Sequence, residues 1–134
     1  MKVKKWNSLL KFLILIFLLA GVGFSAQAKD RKPPVFPVQI KVDFGPAGKS
    51  AHEETLYVEK GTTPKEAVSQ VFPILSGKTC CSFREIMEID GVKVNPAKNL
   101  WWTCTVNGSK KISPHKNKLK RGDIVEWKYI QDSQ

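Results

Sequence analysis

The sequence predicts an α+β fold, a mixed sheet crossed by one short helix. Three observations carry that expectation. Val38, Ile40, Val42 and Phe44 alternate with polar neighbours, the period of a strand with one buried face. Thr63, Pro64 and Glu66 match the N-cap, first and third positions of a capping box, and Ala67, Val68, Val71 and Phe72 follow at helical spacing. Downstream, Asp90-Gly91 and Asn107-Gly108, dipeptides of tight hairpin turns, punctuate runs rich in β-formers.

The chain opens on Lys2, Lys4 and Lys5, and an apolar run follows from Leu9 to Phe24, broken by Lys11. Ala26 and Ala28 then give the small-x-small pattern of a signal-peptidase site, which places cleavage between Ala28 and Lys29. The uninterrupted part of that run is shorter than the roughly 20 apolar residues a bilayer span requires. The reading is a signal peptide over residues 1–28, an exported (secreted or periplasmic) protein, and no permanent membrane span after cleavage. Of the 22 Lys and Arg, four fall in this segment, and none of the 12 Asp and Glu does, so the mature charge is 18 − 12, or +6. A basic exported chain favours anionic surfaces and stays soluble equally well.

Residues 29–37 are charged and contain Pro33, Pro34 and Pro37, the composition of an extended lead-in. The domain proper is expected over residues 38–131. Its first strand is 38–44, followed by a turn at Gly45, Pro46, Ala47 and Gly48, and a second strand at 55–59. The helix begins at Pro64 and ends near Pro73. Further strands are expected at 84–89 and 92–94 about the Asp90-Gly91 turn, at 101–106, and at 124–130. Two strands, a helix and several more strands form the order of a β-grasp (ubiquitin-like) mixed sheet.

Three cysteines, Cys80, Cys81 and Cys104, face an oxidising compartment, where pairing is expected. Adjacent cysteines do not meet disulfide geometry across a trans peptide, so the expected bond joins Cys104 to Cys80 or Cys81. Closing that loop is worth about 3 kcal/mol in the chain-entropy model. Catalytic chemistry is hard to build from these residues. His52 and His115 are the two histidines, no CxxC or HxxH spacing marks a metal site, and no serine motif or phosphate loop is present. No enzyme activity, metal or obligatory cofactor is expected.

Three segments resemble a known family. They are Gly61, Thr62, Thr63 and Pro64 before the helix; Trp102, Thr103, Cys104, Thr105, Val106, Asn107 and Gly108; and Leu119, Lys120, Arg121, Gly122 and Asp123 running into Trp127. In that order the chain resembles the transcobalamin-like C-terminal domain family, also called domain of unknown function 4430. The resemblance implies a β-grasp fold and a non-enzymatic binding role, since in transcobalamins the similar domain closes over a corrinoid. It also implies that Trp102, Cys104 and Val106 face inward and that Trp101 is the exposed partner. An exposed tryptophan can stack on a sugar or a planar ring.

The candidate ligand set is Trp101, Trp102, Asn107, Trp127 and Tyr129, although Trp127 and Tyr129 share a face with Val125 and also fit core packing. Its ligand would be a cobalamin-like small molecule or a surface glycan. The alternative is a basic adhesive protein. Lys110, Lys111, Lys116, Lys118, Lys120 and Arg121 concentrate charge in one crossover, which suits an anionic cell-surface polymer. That crossover has no interleaved aromatics for base stacking, so no specific nucleic acid is expected.

Overall fold

Strand β1 (Val35–Asp43) begins two residues before Pro37, inside what the composition marks as an unpacked lead-in. The structure, a computed structural model, describes residues 31–78 and 85–133. The expected signal peptide, its Ala28–Lys29 cleavage point, Cys80, Cys81 and the start of the strand expected at residue 84 lie outside the described residues. The chain divides into units Met1–Arg31 and Lys32–Gln134, and every element named below belongs to the second.

Proline is tolerated in β1 for a geometric reason. Gln39 N–H points toward the last strand, donating to Asp123 O at 2.9 Å, so Pro37 nitrogen faces the same side. The ladder on that side starts only at Gln39, and Pro37 carbonyl there accepts from Gly122 N–H at 2.8 Å. The missing donor therefore costs no ladder bond. Along β1, Val38, Ile40 and Val42 are buried, as the alternation requires.

A single helical turn at Gly45–Ala47 leads to β2 (His52–Glu59), antiparallel to β1. Strand β2 starts three residues earlier than its β-formers suggest, because pairing with β1 carries His52, Glu53 and Glu54 into the ladder. Helix α1 (Pro64–Val71) has the predicted capping box: Glu66 N–H donates to Thr63 Oγ1 at 3.3 Å, and Thr63 N–H donates to Glu66 Oε2 at 2.8 Å. Ala67 and Val68 press into the core formed by Val38, Ile40, Val42, Val58 and Val125.

The remaining strands are β3 (Ile74–Ser76), β4 (Ile86–Ile89), β5 (Val92–Lys93), β6 (Leu100–Val106) and β7 (Ile124–Gln131). They do not all join one sheet as expected. Strands β2-β1-β7-β6 form a four-stranded mixed sheet, in which β1 and β7 run parallel, and β3-β4-β5 form a separate antiparallel sheet. The split lies between β5 and β6, where Pro96–Lys98 makes a helical turn.

Three contacts dock the small sheet on the large one. Trp102 Nε1–H donates to Val92 O at 2.8 Å, and Tyr129 O–H donates to Lys93 O at 2.7 Å. Lys49 Nζ lies 2.5 Å from Asp90 Oδ2 and 4.9 Å from the centre of the Phe44 ring. The fold is α+β, with one α-helix among the described residues.

A tryptophan-lined cleft

Strand β6 is an edge of the large sheet, and β4 passes close to it. Between them opens a cleft of about 580 Å³. Its sheet wall is made of Trp101, Trp102, Cys104 and Trp127. The register explains the grouping: Trp102 pairs with Tyr129 and Cys104 with Trp127, so these four side chains share the inner face. Trp101, on the alternate position of an edge strand, is 37% exposed and reaches the cleft from its rim. The facing walls come from Glu85, Ile86, Met87 and Val94 on one side and from residues 112–115 on the other.

The groups within reach are mostly apolar and rigid. Trp102 is held by its bond to Val92 and by an edge-on contact with Phe44, ring centres 5.7 Å apart. Trp127 is 3% exposed, and its buried indole N–H has no hydrogen-bond partner among the described residues. Burial pushes the Cys104 thiol up to about 12, so it is neutral at physiological pH. Its contact with Thr105 O, at 3.8 Å, is a weak one. Cys104 has no disulfide partner among the described residues, and both of its expected partners lie outside them. Ser113 Oγ sits 3.1 Å from His115 Nδ1 and supplies a polar element on the loop wall.

Of the five residues expected to meet a ligand, the structure brings Trp101, Trp102 and Trp127 together in the cleft. Tyr129 lies behind them, buried, with its ring centre 5.2 Å from that of Trp102 and its hydroxyl spent on Lys93. Asn107 is elsewhere, at the β6–β7 end. With φ of 52° it starts a turn completed by Gly108. Its amide donates to Asp123 Oδ1 at 2.9 Å and accepts from Ile124 N–H at 2.9 Å. Asn107 is a turn residue whose side chain aligns the entry to β7.

Among the lining residues that composition did not flag, beside Glu85, Ile86, Met87 and Val94, are Ile112 and Pro114. They sit inside the basic crossover, and Ile112-Ser113-Pro114 is a short apolar interruption of the lysines that hints at a buried contact. The crossover is pinned to the helix start: Lys65 N–H donates to Pro114 O at 2.9 Å, Leu119 N–H donates to Thr62 O at 2.8 Å, and Leu119 is buried. Asp123 Oδ2 accepts from Lys120 N–H at 2.8 Å. Lys110, Lys111, Lys116, Lys118, Lys120 and Arg121 are all exposed, and none has an ion pair among the described residues.

A mixed four-stranded sheet, one α-helix among the described residues, a second small sheet and an edge cleft define an α+β domain whose fold is similar to that of part of haptocorrin. Two solved structures of similar fold make the comparison specific. One is haptocorrin in complex with Cbi, at 13% identity and a TM-score of 0.60 over 81% of this chain; the chain spans 28% of haptocorrin's length. The other is a Ruminococcus gnavus protein described as a "putative metal binding protein", at 16% identity and a TM-score of 0.55, covering 73% of this chain and 99% of that one. At such identities the likeness is one of fold. No protein-family model and no curated protein matches the sequence. Among the described residues no three His, Cys, Asp or Glu side chains form a metal-binding group, and no helix is long and apolar enough to cross a membrane.

Proposed function

We propose that this chain is an exported, non-enzymatic binding module on a β-grasp frame of the transcobalamin-like C-terminal type, and that its ligand is held in the tryptophan cleft. The observation that carries the reading is the convergence of three of the chain's four tryptophans on one cleft with a second, loop-built wall. An apolar, aromatic pocket with few polar groups is the usual form of a small-molecule site. The ligand class is a planar small molecule of corrinoid type or the sugar of a surface glycan, either of which stacks on indole. The likeness to haptocorrin supports the frame and is the reason corrinoids come first among ligands to try.

The test is tryptophan fluorescence of the exported protein titrated with cobalamin, cobinamide and cell-wall oligosaccharides, corrected for ligand absorbance. Saturable quenching that survives high salt and is lost in Trp101→Ala is the expected result. No saturable response to any of these ligands would overturn the reading.

A second reading has its own observation. Six exposed cations in one anchored crossover, none of them ion-paired among the described residues, suit an anionic polymer. On that reading heparin-type polymers bind with an affinity that falls steeply as salt rises.

A further inference from the structure

The crossover and the cleft are one structure. Residues 112–115 form a wall of the cleft, and Lys110 and Lys111 precede them while Lys116 follows. Successive Cα atoms are about 3.8 Å apart, so Lys111 and Lys116 are rooted one residue from the lining on either side. The loop that carries them is fixed. Ser113 N–H donates to Asn117 Oδ1 at 2.8 Å, Asn117 N–H donates to Ser113 O at 2.9 Å, and Pro114 O is tied to Lys65 N–H. The three lysines are thus rooted beside an apolar cleft, exposed and without ion-pair partners among the described residues. The one carboxylate in the lining is Glu85, on the opposite wall and exposed. An anionic ligand would find a counter-charge there that a neutral one of the same shape would not.

Resting on the cleft reading above, we infer that the ligand is an anionic amphiphile: a planar apolar body lies against Trp101 and the inner tryptophan wall, and a carboxylate, sulfonate or phosphate meets Lys110, Lys111 and Lys116 at the rim. Charge complementarity selects this class. The aromatic wall supplies burial for the body, and the lysines supply a counter-charge that discriminates anionic from neutral molecules of the same shape.

Two dyes with nearly the same aromatic body test it: anionic anilinonaphthalene sulfonate and uncharged phenylnaphthylamine, each titrated into the exported protein at low and high salt. The sulfonate should bind about tenfold more tightly at low salt, the combined effect expected of a few exposed charges. That advantage should shrink at high salt and in the Lys110→Gln, Lys111→Gln, Lys116→Gln variant, whereas Trp101→Ala should weaken both dyes. Equal affinity for the two dyes at every salt overturns the inference and leaves the cleft reading standing. Sulfonate binding that is lost with the lysines but indifferent to Trp101→Ala also overturns it, as capture by charge alone. If neither dye binds, this inference falls, and the cleft reading stands or falls by the corrinoid and oligosaccharide titrations.

Discussion

Gly45 turns the chain out of β1 with φ of 40°, in the region L side chains rarely adopt, and its α-carbon stands against the carbonyl oxygen of Tyr129. A methyl group there would collide with β7 backbone, which cannot yield as a flexible side chain can. Gly45→Ala is expected to cost about 2 kcal/mol or more, from overlap and backbone strain together. Urea unfolding at neutral pH measures it, and a loss below about 0.5 kcal/mol would show that the corner is looser than the geometry says. At this scale much was legible. Alternation placed Val38, Ile40 and Val42 inside, and the family resemblance placed Trp102, Cys104 and Val106 inward with Trp101 at the surface. Ile112 and Pro114 were not legible as lining residues, because a loop has no period from which to tell which side chains turn inward.

The helix shows how strongly short-range signals act. Thr63 and Glu66 make the reciprocal cap that their spacing announces, and Thr63 is itself buried. Thr63→Ala should cost about 1 kcal/mol, while Thr63→Ser, which keeps the acceptor, should cost much less. Equal losses for the two variants in a denaturant series would mean that methyl packing, and not the cap, carries the effect. Element boundaries were legible where local chemistry sets them, as at this cap and at the Asn107-Gly108 turn. They were not where a partner strand sets them. Strand β2 reaches back to His52 because β1 offers a ladder, and Pro37 belongs to β1 because its nitrogen faces the side on which the β7 ladder begins only at Gln39.

The division into two sheets belongs to the whole molecule, and nothing local announces it. Val92 and Lys93 read as one more strand, yet their carbonyls receive the side chains of Trp102 and Tyr129 from the other sheet. Those bonds hold the back of the cleft in place. Tyr129→Phe removes one of them, keeps the ring, and should cost about 1 kcal/mol. If the clasp shapes the cleft, the same variant also weakens binding of whichever ligand quenches Trp101. Unchanged stability in a thermal melt would show that the two sheets are held by packing alone.

The parallel pairing of β1 with β7 has a consequence in time. Among the described strands, the two central ones of the large sheet are the first and the last in sequence, and β2 and β6 are attached outside them. The core draws on both, with Val38, Ile40 and Val42 from β1 and Val125 and Trp127 from β7. Loop closure across nearly the whole domain then precedes the contacts that reward it. On the export proposed above, that delay would keep the chain threadable, able to cross a membrane as a strand and to fold on the far side.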